Sequence, residues 1–167
     1  HVSSSVTEQG QGTNAILAQI AADVFGVDIE MVQVTTGDTK NTPYGGGAWA
    51  SRGAGIGGEA VYLAAEALKD QVLDIASVML QSSPENLNIT DGNIVDRGSS
   101  DNRISLSDLA RTVYYRGNEL PSDMSLELIA TRHYRVTDMP FVFTNGAMAA
   151  HIEIDIETGI IKVLNFW

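Results

Sequence analysis

Two stretches of this 167-residue sequence bring together residue types that can do chemistry. The first is Gly10-Gln11-Gly12, between an alternating segment and the start of a helical one. Glycines leave backbone N–H groups open to close approach, and the positive end of a helix dipole favours an anion beside them. Gln11 adds an amide with two donor hydrogens and an acceptor oxygen, able to read the edge of a heterocycle or hold a metal's oxo group. A carboxylate in its place would repel an anionic ligand. With Ala15 the stretch also satisfies G-x-G-x-x-A, the dinucleotide pattern, with Asp28 and Glu30 downstream. Against that reading, the residues before it alternate Val with Ser, whereas a central parallel strand runs continuously apolar. A tight turn accounts for the glycines but not for Gln11.

The second stretch runs from Gly37 to Gly58, longer than most structural connections. Gly45-Gly46-Gly47 leads into Ala48-Trp49-Ala50-Ser51-Arg52, and Gly53, Gly55, Gly57 and Gly58 follow. This is a backbone-rich, side-chain-poor surface at a helix start, suited to phosphate or pyrophosphate. The alternative is a flexible loop whose glycines let the next helix pack closely, with Arg52 paired to the acidic surface.

The elements that must position these stretches follow from periodicity. Val2, Ser4 and Val6 alternate with polar neighbours, which predicts a half-buried strand over 1–8. Thr13 can cap a helix whose face carries Ile16, Leu17, Ile20, Ala21 and Val24, with Gly26 as a left-handed stop. A second strand is expected over 31–36. Val61, Ala65, Leu68, Val72, Ile75 and Met79 form the stripe of a long helix packed across a sheet. Ser83-Pro84 marks a turn or helix start, and a hairpin is expected around Asp91-Gly92 as a type I′ turn. Ser105-Leu106-Ser107-Asp108 opens a short helix through Val113. Residues 126–136 alternate, and residues 150–156 form a strand that Glu157-Thr158-Gly159 turns into the last one. The predicted order, β-α-β-α-β-β-α-β-β-β, is α+β: mixed sheets packed against helices in one domain over 1–167.

Composition excludes several classes. Ten Lys+Arg against 21 Asp+Glu give a net charge of −11 with no basic cluster, so nucleic acid is not an expected partner. No stretch approaches the roughly eighteen apolar residues of a membrane span, and no signal peptide opens the chain, so cytoplasm is the expected location. There is no cysteine, which removes disulfides, thiolate zinc sites and iron–sulfur ligation. His1, His133 and His151 are scattered and read as surface or strand histidines, not as metal ligands. The missing Met and the terminal Phe166-Trp167 suggest an excised piece of a longer polypeptide.

Taken in order, several motifs resemble one family. Glu8-Gln9-Gly10-Gln11-Gly12-Thr13, Leu17-Ala18-Gln19-Ile20-Ala21-Ala22, Gly37-Asp38-Thr39, Thr42-Pro43, Gly47-Ala48-Trp49-Ala50-Ser51-Arg52 and Gly58-x-Ala60-Val61 are similar to the molybdopterin-binding large subunit of the xanthine dehydrogenase/aldehyde oxidase family. Carbon monoxide dehydrogenase and 4-hydroxybenzoyl-CoA reductase large subunits belong to the same group. Phe143 through Ala147 and Ile152 through Gly159 resemble the strand and D-x-x-T-G turn that follow in the family. The likeness covers nearly the whole chain and is weakest over 80–135.

The resemblance implies a cofactor-binding domain, a fragment of a molybdenum hydroxylase. Gln11 would stand beside the molybdenum and pterin, with Gly12 and Thr13 adding backbone contacts. Ala48, Trp49, Ala50, Ser51 and Arg52 would form a second cradle for the pterin or its phosphate arm. Relatives often carry a hydroxyl where this chain has Ala48, which leaves only backbone there. The metal is held by the cofactor's dithiolene, so the missing Cys is no obstacle. The family's oxidoreductase reaction inserts a water-derived oxygen into an aldehyde or N-heterocycle, using molybdopterin in mono- or dinucleotide form. Iron–sulfur clusters and FAD lie on partner subunits or domains. Its general-base glutamate sits in a G-x-G-E segment that this chain lacks, so the chain needs the rest of its large subunit and is expected to be inactive alone. Glu8 reads as a strand-end charge and Glu59 as an ordinary helix residue. The alternative is a non-catalytic ligand-binding or interaction domain that reuses the fold.

Overall fold

The computed structural model describes residues 1–42, 44–137 and 146–167, which fall into two units, His1–Thr137 and Asp138–Trp167. The likeness at Pro43 and over 143–145 lies outside the described residues. In the first unit the opening strand is shorter than its alternation predicts: β1 spans Val2–Ser4 and pairs in parallel with β2, Val34–Thr36. Beyond Ser4 the chain brings Val6, buried, against Gly57, just before the long helix. Met31, expected to open the second strand, instead ends a short 3-10 turn over Ile29–Met31, at whose start the Asp28 side chain accepts the Glu30 N–H at 2.9 Å.

Helix α1, Thr13–Phe25, connects the two parallel strands. Its buried stripe is Leu17, Ala18, Ala21 and Ala22, while Ile16 is exposed. Gly26 ends it in the left-handed conformation at φ 76°, as expected, and donates to the Ala22 carbonyl at 2.9 Å. Lys69 reaches across to the Val24 carbonyl at 2.8 Å, supplying a cation and a donor to the same helix end.

Helix α2, Glu59–Leu80, has 22 residues and is about 33 Å long. Its first part packs Val61 with Leu17 and Ala21 of α1, and its later part packs Val72, Ile75 and Ala76 against Leu87, Ile89 and Ile94. One helix therefore carries both cores. The second core belongs to an antiparallel sheet in the order β3 (Leu87–Thr90), β4 (Asn93–Asp96), β5 (Ser99–Ser105). Asp91 and Gly92, at φ 49° and 74°, form the expected two-residue turn between β3 and β4. Strand β5 escapes prediction because Ser99-Ser100-Asp101-Asn102-Arg103 is polar throughout and its sequence lacks alternation. It leads into α3, Leu106–Tyr115, where the Ser105 hydroxyl caps the Asp108 N–H at 3.0 Å. Residues 126–136 alternate but form no strand, since they find no ladder partner among the described residues.

In the second unit β6 (Ala150–Ile154) and β7 (Ile161–Phe166) form an antiparallel hairpin. Asp155 accepts the Glu157 N–H at 2.9 Å and Gly159 turns with φ 70°, so the aspartate and glycine of the D-x-x-T-G pattern shape the connection. Across the described residues no helix is long and apolar enough to cross a membrane.

Ile75, 1% exposed, sits where α2 meets the three-stranded sheet. Ile75→Ala is expected to destabilise the chain by about 2–5 kcal/mol, read as a lowered midpoint in urea unfolding.

Candidate functional site

A helix start leaves N–H groups without partners, and the start of α1 solves this in an unexpected way. Its N-cap is Gly12, in the left-handed conformation at φ 84°, which has no side chain to cap with. Thr13, expected as the cap, is instead the first helical residue and is buried. The capping acceptor comes from four residues upstream. Glu8 Oε1 accepts the N–H groups of Gly10 at 2.6 Å and Gly12 at 3.1 Å, and Oε2 accepts that of Asn14 at 3.0 Å.

The Glu8 carboxylate thus occupies the anion position that Gly10-Gln11-Gly12 offers by sequence. A pyrophosphate at this turn would find its donors taken, so the dinucleotide reading fails even though β1, α1 and β2 have the parallel connection it requires. The Asn14 N–H, and then those of Gly10, Gly12 and Gln9, hold the carboxyl below the ordinary glutamate range against an opposing desolvation effect.

Gln11 closes the turn from the other side. Its Nε2 donates to the Thr7 carbonyl at 3.0 Å and to Thr13 Oγ1 at 2.6 Å, while Oε1 accepts the Gln9 N–H at 2.7 Å. Both amide hydrogens are engaged, so in this conformation Gln11 offers outward only a lone pair on Oε1. Donation to a ligand requires the side chain to leave Thr7 and Thr13.

Thr7 joins this turn to the second stretch. Its Oγ1 accepts the Ala48 N–H at 3.2 Å and the Gln9 Nε2 donor at 3.4 Å. A Cβ on Gly47 would stand 3.5 Å from the same oxygen, and one on Gly53 would stand 3.6 Å from Thr13 Oγ1. The structure therefore brings Gln11, Gly12 and Thr13 beside the loop of Ala48, Trp49, Ala50, Ser51 and Arg52.

That loop is built to expose backbone. Ala50 and Ser51 hold φ of 51° and 56°, unusual for residues with a Cβ and the kind of strain found at ligand clamps. Trp49 is 63% exposed, and the Arg52 guanidinium lies 5.3 Å from its ring centroid. Arg52 Nε is buried yet has no hydrogen-bond partner among the described residues. Behind it, Gly53–Gly58 makes one π-helical turn that runs into α2, a geometry frequent at functional sites. A Cβ on Gly57 would lie 2.7 Å from Val6 Cγ2, so glycine there is what lets the helix start lie against the strand end.

An unmet cationic donor, a backbone-lined loop and an amide turn fit a ligand that pairs a hydrogen-bonding ring with an anionic arm. The Glu8 carboxylate leaves the arm no seat at α1, and Arg52 offers it one. A cavity of about 610 Å³ lies between residues 1–6, the α2 residues Ala60, Val61, Ala64 and Leu68, and segment 129–134. Of the eight residues singled out from sequence, only Arg52 lines it. Among the described residues no group of three or more His, Asp and Glu side chains is arranged to hold a metal ion.

Residues 1–167 match the molybdopterin cofactor-binding domain. The chain belongs to that family. It is 36% identical over 162 residues to the nicotine 6-hydroxylase large subunit of Paenarthrobacter nicotinovorans, covering 97% of this chain and 20% of that one. It is also 36% identical over 132 residues to the putative xanthine dehydrogenase molybdenum-binding subunit of Escherichia coli K12, covering 76% of this chain and 18% of that one. Among solved structures, quinoline 2-oxidoreductase from Pseudomonas putida 86 superposes with a TM-score of 0.74 at 36% identity, over 96% of this chain and 20% of that one. The chain thus spans about a fifth of these relatives' length.

Sequence reasoning missed Thr7 and misread Glu8. Thr7 gives no local signal, since its partner Ala48 lies 41 residues away. Glu8 does give one: an acceptor-only side chain two residues before the first glycine and four before the second, at a helix start that has no capping side chain of its own.

Thr7→Val keeps the shape and removes the acceptor. It is expected to cost about 1 kcal/mol and to speed hydrogen exchange at the Ala48 amide, measured by NMR or mass spectrometry. Because Glu8's folded pKa is depressed, its contribution is complete above the unfolded value of about 4.3 and is lost as pH falls through the lower folded value. The Asn14 amide shift should accordingly titrate with an apparent pKa below about 4.3, the ordinary glutamate value.

Proposed function

We propose that this chain forms one wall of the molybdenum cofactor site in the large subunit of a molybdenum hydroxylase. The observation that carries the reading is the Thr7 junction, which holds the Gln11 turn and the Ala48–Arg52 loop together as a single surface. The Gln11 amide, once turned outward, hydrogen-bonds the pterin end of the cofactor near the metal. Gly12 and Thr13 flank it with backbone. Backbone at Ala48, Trp49 and Ala50 and the Ser51 hydroxyl receive the rest of the pterin, and Arg52 neutralises the phosphate arm, which satisfies its buried Nε.

When bound, molybdopterin, as the mononucleotide or the cytosine dinucleotide form, supplies two-electron redox chemistry that passes through iron–sulfur clusters to FAD on partner subunits or domains. The work of this chain is to bind and orient that group and to keep its own carboxylate, Glu8, off the ligand. The substrate class is an aldehyde or an N-heterocycle. Nicotine 6-hydroxylase, xanthine dehydrogenase and quinoline 2-oxidoreductase are named for N-heterocycles, which favours the second. The rest of the large subunit supplies the general base, so turnover belongs to the complete subunit and not to residues 1–167. Cytoplasm is the proposed location.

The test is metal and pterin analysis of the full-length subunit purified with its partner subunits. Wild type is expected to carry molybdenum and to release a fluorescent pterin oxidation product, with both reduced in Gln11→Ala while the melting temperature stays within a few degrees. Absence of both from the wild type would move the assignment to a non-catalytic ligand-binding domain.

A further inference from the structure

The turn that carries Gln11 is bracketed by one carboxylate. Gly10 and Gly12, on either side of Gln11, have φ of 96° and 84°, and a Cβ on either would meet nothing within 4 Å. No neighbour crowds the Cβ position of either glycine, so the turn's positive φ values are not imposed by side-chain contact at these two positions. Hydrogen bonds hold the turn from both sides: the Gln11 amide ties Thr7, Gln9 and Thr13, and the two oxygens of Glu8 take the N–H groups of Gly10, Gly12 and Asn14. A carboxylate is acceptor-only with about four lone-pair sites, so it can gather three donors without leaving one of its own unmet. An ordinary cap serves the helix alone. Here Gly10 precedes the helix, so the carboxylate also fixes the turn.

We propose that Glu8 is a positioning residue: by binding the three N–H groups around Gln11 it sets where the Gln11 amide stands and so governs cofactor retention. The inference rests on the reading of Gln11 as a cofactor contact. It adds a residue that acts through Gln11 without touching the ligand. The lowered protonation range of the carboxyl is consistent with a group that stays ionised in this role.

Because Glu8 acts through Gln11, the two must be non-additive. Molybdenum bound per subunit is measured at limiting cofactor in the full-length subunit with its partners, for Glu8→Ala, Glu8→Gln, Gln11→Ala and the double variant, with melting temperatures alongside. Glu8→Ala is expected to weaken retention roughly tenfold, the scale of lost support behind a ligand-contacting group. In the Gln11→Ala background the same change should matter less than about twofold. Glu8→Gln keeps one oxygen for Gly10 and Gly12 but sets an NH2 against the Asn14 N–H, so it should recover part of the loss. Ser105→Ala, which uncaps the distant α3, is the control and should leave loading unchanged.

Normal loading in Glu8→Ala with reduced loading in Gln11→Ala would overturn the role of Glu8 and keep the cofactor wall. So would full additivity, or an equal loss in Ser105→Ala. Normal loading in Gln11→Ala would instead remove the cofactor wall itself, and the Glu8 inference with it.

Discussion

Backbone N–H groups at a glycine-rich helix start must find acceptors, and in this chain the acceptor is the Glu8 carboxylate. The arrangement of the site follows from that. With its donors met, the start of α1 repels anions, whereas the same backbone without Glu8 would attract them. The cationic duty passes to Arg52 on the neighbouring loop, stacked on Trp49 with a buried Nε unmet. A surface results with an amide at one end and a guanidinium at the other, and the proposed reading seats a ligand on it that is a heterocycle at one end and a phosphate at the other.

Two loops far apart in sequence can make such a surface only if something registers them. Thr7 does so at short range, its carbonyl accepting from Gln11 and its hydroxyl accepting from Ala48. Helix α2 does so at longer range. Its glycine-rich start lies against Val6 and Ile20, and its later turns are anchored in the core formed with β3, β4 and α3. The loop is therefore carried on a helix fixed at both ends, as a binding site on a rigid scaffold requires.

How much of this was legible in the sequence depended on the range of the interaction that decides each element. Helix α2, the Gly26 stop, the Asp91-Gly92 turn and the Ser105 cap are set by spacing within a few residues, and they stand where the sequence puts them. Strand β5 and the coil over 126–136 are decided by which partners lie alongside, so a polar run became a strand and an alternating one did not. The motifs of the site were legible as types, namely a Gly-Gln-Gly turn and a glycine-rich loop with Arg52. Their junction was not, because it passes through Thr7, a residue with no distinguishing neighbours. The anion reading of the turn had the donors right and the acceptor wrong: it looked outward for a ligand when Glu8 was two residues away.

The central claim is that the Gln11 turn and the Ala48–Arg52 loop form one cofactor wall. An experimentally determined structure of the full-length subunit with its cofactor tests it most directly. The account predicts the Gln11 amide turned outward onto the ring end of the cofactor, Arg52 on its anionic arm, and Glu8 still bound to Gly10, Gly12 and Asn14. A cofactor seated away from both loops, or an anionic group of the ligand displacing Glu8 from the start of α1, would contradict it.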